Sequence, residues 1–351
     1  MVYDGPGVIV PSDYGCWHNT NYIVNNSGLG YGPDPNYNVF GNTVRIFGMN
    51  GLDWSITETS PGVYNWSNWD LALGRLKANG VRRIVYNPFN VPNRLNRMGT
   101  GGGEWKMQWV PEPEISQWLS AVREKVQSHG FQLTVEVANE VFAGSGGGSW
   151  AGTNAELSQF SDYVLNWRLR VAPDVQIWSP SIPGFGSGTS PQQDNVFAFF
   201  AWLATYPRRN EFDAFSLHLY GLTADQLGEP FGPNTDFTGF VEYRNLLRGM
   251  GITKPIVDGE KGFWGGTVSP GSAYNYLVKS MTQGIAQTCL FQLSQRDGST
   301  DSNLGEPWHN EWAKADIEDG ARLAGRKITK VVKPNGAPDG RYWVRTDGQC
   351  Y

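Results

Sequence analysis

This 351-residue chain is poor in cysteine, in histidine and in runs of one charge, and each shortage removes a class of function. The cysteines are Cys16, Cys289 and Cys350, an odd number without metal-ligand spacing, so neither a disulfide framework nor a zinc site is indicated. Free buried thiols are the expectation, with a single bridge among the three left open. The histidines are His18, His129, His218 and His309, and no two form a His-x-His or His-x-x-x-His pair. A metal-dependent hydrolase is therefore not expected, and no metal or other cofactor is implied. Net charge is −5 without a basic patch, which argues against nucleic acid and anionic membranes as partners. No stretch approaches the ~18 continuous apolar residues of a membrane span. The N-terminus, MVYDGPGVIVPSDYG, lacks the basic and apolar regions of a signal peptide. The expectation is a protein outside the cell, its leader removed, or one associated with a virion, in preference to a cytoplasmic one.

What the chain does have is glycine and aromatic rings: 44 Gly, 15 Trp, 15 Tyr and 17 Phe, with 40% hydrophobic residues overall. That hydrophobic content supplies a sizeable core. The glycines imply long loops with demanding backbone angles. Tryptophans on such loops would offer flat apolar surfaces for stacking.

Short apolar runs bounded by turn residues recur along the chain: GVIVPSDYGCW, NTVRIFGM, VRRIVYN, FQLTVEVANE, VQIWSPS, DAFSLHLY, KPIVDGEKG and QTCLFQLSQ. Helical patterns lie between them. ISQWLSAVREKVQSHG places Ile115, Trp118, Leu119, Val122 and Val126 on one face; NAELSQFSDYVLNWRLRVA and AYNYLVKSMTQG are two more. Eight strands alternating with helices predict an α/β fold, a (β/α)8 TIM barrel, with a doubly wound open sheet as the alternative. The barrel is expected over residues 1–325, with residues 326–351 a short C-terminal extension packing on it; GRYWVRTDGQCY there could add a strand or two. Helix-to-strand links such as SHGF and APDV are short, whereas strand-to-helix links such as RMGTGGGEWKMQWVPEPE and GFWGGTVSPGS are long and rich in Gly and Trp. In a parallel barrel the long links share the carboxyl-end face, where active sites of this fold are built.

Two carboxylates end strands on that face. Glu140 closes TVEVANE and Glu260 closes IVDGE, three βα units later. Paired carboxylates across a cleft are the tools of glycoside hydrolysis, one donating a proton to the leaving oxygen, the other ionised and attacking. By strand alternation Asp258 shares the face of Glu260 but lies deeper, as a core polar group or orienter. Glu136, two residues below Glu140, is expected in a buried network.

The pattern resembles the clan A retaining glycoside hydrolases, and within them family 39 most. VEVANE resembles that family's E-x-W-N-E, with Asn139 before the acid/base Glu140; FSLHLYG matches the clan's H-x-Y at His218 and Tyr220; IVDGEKG resembles the segment bearing the nucleophile, Glu260; and TVRIFG supplies Arg45, which in the clan sits beside the nucleophile. The resemblance covers residues 10–320, with Ala138 in place of the usual Trp and Val141 in place of the usual Pro. It implies that Asn139 donates to a sugar 2-hydroxyl. Arg45, and Tyr220 by hydrogen bonding, would keep Glu260 ionised. Trp17, His18 and Trp264 fall near strand ends on the mouth; an indole there could stack on a sugar face. The function expected is a retaining β-glycosidase, endo-acting on a polysaccharide or exopolysaccharide and monomeric. An exo-acting, β-xylosidase-like enzyme and a non-catalytic carbohydrate-binding barrel are the alternatives.

Overall fold

The computed structural model describes residues 3–19, 41–47, 51–88, 90–96, 109–141, 150, 152–182, 190–219, 224, 227, 240–261, 271–290, 311–333 and 340–347. In chain order the strands are β1 (Tyr3–Ile9), β2 (Gly15–Asn19), β3 (Thr43–Phe47), β4 (Glu58–Ser60), β5 (Val63–Tyr64), β6 (Arg83–Asn87), β7 (Gln132–Glu136), β8 (Gln176–Trp178), β9 (Phe215–His218), β10 (Ile256–Lys261), β11 (Ile285–Leu290), β12 (Lys327–Val332) and β13 (Trp343–Thr346). The helices are α1 (Trp54–Thr57), α2 (Ser67–Ala78), α3 (Glu112–Ser128), α4 (Asn154–Val171), α5 (Ser190–Thr205), α6 (Phe240–Gly249), α7 (Ser272–Gln283) and α8 (Glu311–Ala321).

Eight strands form one parallel sheet in the order β8-β7-β6-β3-β2-β11-β10-β9. Its two edges meet. Trp178 bridges Ala214 and Ile182 bridges Leu217, both in parallel. Ser179 N–H donates to Ala214 O at 2.9 Å and His218 N–H to Ile182 O at 3.2 Å across the same seam. The sheet is therefore a closed (β/α)8 barrel, and a closed sheet leaves no edge unpaired. The eight expected strand regions all supply barrel strands, with one refinement at the start. GVIVPSDYGCW is two strands, and only its second half, in β2, enters the barrel. Its first half, in β1, pairs antiparallel with β12, which pairs with β13, making a three-stranded sheet from the two ends of the chain.

Helix formation follows the sequence pattern closely. In α3 the expected stripe of Ile115, Trp118, Leu119, Val122 and Val126 is buried, while Glu112 and Glu114 occupy the first turn and Lys125 the last, the favourable order for the helix dipole. The α4 N-terminus carries a capping box, Thr153 and Glu156 each bonding the other's backbone N–H. Behind the β3–α2 region Trp54, Trp118 and Trp66 form a three-ring stack with centroid spacings of 5.4 and 5.8 Å. Strand residues alternate between the helix layer and the lumen. Val85, Trp178, Ala214, Val257 and Cys289 form a separate apolar cluster. The polar side chains Arg45, Asn87, Glu136, Ser216, His218 and Glu260 are also buried. Cys289 is disulfide-bonded, contrary to the free-thiol expectation, and its register partner on β2 is Cys16.

Candidate active site

Arg45 projects from β3 and its guanidinium is completely buried. A buried guanidinium is tolerated only when its donors are matched by acceptors. Here they are: Nε donates to Glu136 Oε2 at 2.8 Å, Nη2 to the same carboxylate and to Asn139 Oδ1 at 2.6 Å, and Nη1 to Glu260 Oε1 at 2.5 Å. Glu136 is completed by Ser216 Oγ at 2.5 Å and Asn87 Nδ2 at 3.2 Å. It is a member of the buried network, as expected. The adjacent carboxylates hold Arg45 charged, outweighing burial.

Strand alternation delivers Arg45, Glu136 and His218, but neither Glu140 nor Glu260 arrives by alternation alone. Strand β7 ends at Glu136; Val137 and Ala138 pack into the main core, and Asn139 then turns toward Arg45. Glu140 adopts a left-handed φ of 42° and its N–H donates to Ser181 Oγ at 3.0 Å. In β10 the register against β9 slips by one: Asp258 faces Leu217, yet Glu260 faces His218. This bulge at Gly259 places Asp258 and Glu260 on opposite sides of the sheet, correcting the expectation of a shared face. Asp258 bonds Tyr276 Oη of α7 at 2.7 Å, while Glu260 meets Arg45. A Cβ on Gly259 would lie 2.6 Å from Ser216 Oγ and 3.2 Å from His218 Nε2, so the bulge requires glycine for close approach.

His218 joins the two carboxylates. Its Nδ1 lies 2.9 Å from Glu140 Oε1 and 3.6 Å from Glu260 Oε2. One oxygen from each carboxylate and one ring nitrogen of His218 all fall within 4.8 Å of one another. Burial pushes the Glu140 pKa up; the His218 hydrogen bond opposes this and the charge of Glu260 adds to it. For His218, burial lowers the pKa, but the charge of Glu260 and the bond to Glu140 outweigh it and the net direction is up. Among the described residues this trio is the group whose donors could hold a metal ion. The Arg45 guanidinium bound to Glu260 puts a positive charge beside the position a cation would take, which disfavours that occupancy.

The structure thus brings together Glu140, Glu260, Asn139, Arg45 and His218. Tyr220 and Trp264 lie outside the described residues, as do the side chains of Trp17 and His18, whose backbones form part of β2. Two further tryptophans, at the ends of Gly-rich strand-to-helix links, are packed inward: Trp150 is buried against Phe160, and Trp109 packs on the core beside Tyr163. Asn87, Ser216, Ser181 and Lys261 join the site or its surroundings without having been among the candidates. Asn87 ends an apolar strand as a lone polar residue and Ser216 lies one period below His218, so both had a readable signal; Ser181 and Lys261 had none.

No protein-family model matches the chain, and no curated protein matches it. Solved structures do resemble it. The family 30 subfamily 8 xylanase Xyn30A from Clostridium acetobutylicum superposes with a TM-score of 0.56 at 14% identity, covering 97% of this chain and 81% of that one. A GH5-4 broad specificity endoglucanase from Clostridium longisporum gives 0.51 at 14% identity over 90% and 96% of the two chains. The endo-1,4-beta-xylanase XylE of Penicillium canescens gives 0.53 at 13% identity over 88% and 95%. At such identities the likeness is one of fold, and that fold is the barrel whose closure the backbone bonding shows.

Proposed function

We propose that this chain is a retaining β-glycoside hydrolase of clan A. The observation that carries the reading is the pairing of Glu140 and Glu260, with oxygens within 4.8 Å of each other in unlike electrostatic settings. Retaining enzymes hold their carboxyl groups about 5–5.5 Å apart, whereas inverting enzymes leave ~6.5–9.5 Å for a water. Glu140, half-buried and with its pKa pushed upward by that burial, is the proton donor; Glu260, bonded to Arg45, is the nucleophile. Glu260 attacks the anomeric carbon while Glu140 protonates the departing oxygen, giving a glycosyl ester on Glu260. Water, deprotonated by Glu140, then releases the sugar with its β configuration restored. Asn139, oriented by Arg45, is placed to bond the sugar 2-hydroxyl.

The similar structures are described as xylanases and endoglucanases, which supports a polysaccharide substrate and endo-action. The finer affinity to family 39 rests on the motifs around Glu140, His218 and Glu260 alone; the two Clostridium enzymes named above are described as members of families 30 and 5. A disulfide at Cys289 supports placement outside the cell or on a virion, where such bonds persist. The test is to incubate wild type, Glu140→Gln and Glu260→Gln with a panel of β-linked polysaccharides, bacterial exopolysaccharides included, and measure new reducing ends. Wild type should cut one polymer, insensitive to a chelator, with the released anomer β by NMR. Loss of the acid/base should lower the rate by roughly 10²–10⁴-fold. Full activity in either variant, or an α-configured first product, overturns the assignment. A wild type that binds one of the polymers without cutting it would favour the carbohydrate-binding barrel.

A further inference from the structure

Lys261 follows the nucleophile in sequence, is completely buried, and has no part in the displacement above. An ionisable side chain is expensive to bury when a hydrophobic residue could fill the same space. Its surroundings show what it does. Lys261 and Asp258 flank the β10 bulge, and both reach the Tyr276 side chain on α7. Tyr276 Oη donates to Asp258 Oδ2 at 2.7 Å, and Lys261 Nζ sits 4.3 Å from the ring centroid. The same two side chains also hold both ends of one residue on the neighbouring strand. Leu219 N–H donates to Asp258 Oδ1 at 3.1 Å, and Lys261 Nζ donates to Leu219 O at 3.0 Å. The β9–β10 register ends at His218 and Glu260, so Leu219 lies immediately past the ladder. There, side chains take over the role of backbone bonds.

We propose that Asp258 and Lys261 form a clamp on the Leu219 backbone that positions His218, and through it the proton-donating carboxyl of Glu140. This rests on the glycosidase reading for its catalytic consequence, though not for its structural one. Both are positioning residues; neither touches substrate. His218 is anchored on one side by its N–H to Ile182 O and on the other by the clamped Leu219, leaving its Nδ1 aimed at Glu140 Oε1 at 2.9 Å. Burial lowers the Lys261 pKa against the pull of Asp258, and raises that of Asp258 against the pull of Lys261 and the hydrogen bond from Tyr276. The ionisable groups around the pair are Tyr276 from α7, Tyr14 ahead of β2, and His218, with Arg45 and Glu260 across the sheet.

The test uses the full chain and three variants, Lys261→Met, Lys261→Arg and Tyr276→Phe, each checked for folding by circular dichroism. The His218 imidazole is titrated by ¹⁵N NMR, a readout that needs no activity. Removing a positive charge near His218 would by itself raise its titration midpoint. Releasing Leu219 breaks the bond to Glu140 and lowers it. The clamp therefore predicts a lower midpoint in Lys261→Met, a wild-type midpoint in Lys261→Arg, and a smaller fall in Tyr276→Phe, which changes no charge. An unchanged or raised midpoint in folded Lys261→Met overturns the proposal. If that variant does not fold, an unchanged midpoint in Tyr276→Phe does so instead. A second arm compares the polymer wild type cleaves with a dinitrophenyl glycoside of the same sugar, whose leaving group needs little protonation. Lys261→Met should lose about tenfold on the polymer, less than the roughly 10²–10⁴-fold that outright loss of the general acid costs, and much less on the aryl glycoside. Equal losses on both would mean general loosening and count against the clamp. Should wild type cleave nothing, the glycosidase reading fails while the NMR arm still decides the clamp.

Discussion

Glu140 is the residue where cost and use are most closely joined. A non-glycine residue with φ near 42° pays for its left-handed backbone, and its carboxyl is raised by burial before it meets any substrate. The left-handed conformation costs roughly 1–2 kcal/mol for a residue with a Cβ and little for glycine. Glu140→Gly should therefore be more stable than Glu140→Ala by about 1 kcal/mol in denaturant midpoint, although both lose the proton donor. Equal stabilities would mean that the turn relaxes once the side chain is gone. The partner of Glu140 makes a separate prediction. His218 opposes the burial shift by its hydrogen bond and its charge. Replacing it in His218→Asn lets burial and the charge of Glu260 act unopposed by it. The alkaline limb of the kcat/KM profile, where the proton donor is lost, should then move to higher pH. A shift to lower pH would show that His218 sustains the proton rather than competing for it. Because the two carboxylates and the imidazole titrate as one group, the limb reports a property of the cluster.

At the scale of elements, alternation and periodicity reach as far as regular geometry does. The buried stripe of α3 and Glu136 in β7 were legible from spacing, because each lies inside a regular run, whereas Arg45 in β3 and His218 in β9 were named through the resemblance. What was not legible lies where a strand departs from period two. Glu140 reaches the site through a left-handed turn past the end of β7, and Glu260 through an inserted residue in β10. Both are nevertheless conspicuous as candidates, each a carboxylate after an apolar run; the side of the sheet taken by Asp258 is not. The splitting of the first apolar run also escaped, since only the distant β12 gives β1 a partner. Cys16 and Cys289 become neighbours only when the first barrel strand meets the last. The bulge itself can be tested. Gly259→Ala puts a methyl 2.6 Å from Ser216 Oγ and 3.3 Å from Glu136 Oε1, in a network without slack. Overpacking of this kind costs typically ~1–3 kcal/mol, so the melting temperature should fall. The rate should fall as well, because the displaced groups are those that hold Arg45 and face His218. A variant with wild-type melting and turnover would show the bulge to be adaptable.

At the scale of the whole molecule, the buried polar network joins strands that are far apart in sequence. Arg45 ties β3 to the tip of β7 through Glu136 and Asn139, and to β10 through Glu260; His218 ties β9 to both carboxylates. Such a cluster fixes the mutual position of the strands that carry the chemistry, and it links folding stability to pH with a definite sign. The folded pKa of Glu140 lies above its unfolded value, about 4.3 for a free glutamate. As pH rises past that value the unfolded chain gives up its proton first, the folded state binds more protons, and stability falls until the folded pKa is passed. His218 acts in the same direction. Its raised folded pKa gives stability that is fully present below about 6.5 and is lost as pH rises through the folded value. The wild-type melting temperature should therefore decline between about pH 5 and 8. Glu140→Gln cannot titrate at that position and removes one of the anions that hold the His218 proton, so it should decline less. The variant's advantage in stability over wild type should widen steadily with pH, measured by calorimetry at fixed ionic strength. If wild type instead gains on Glu140→Gln as pH rises, Glu140 is held ionised in the fold, and its assignment as proton donor loses its physical basis.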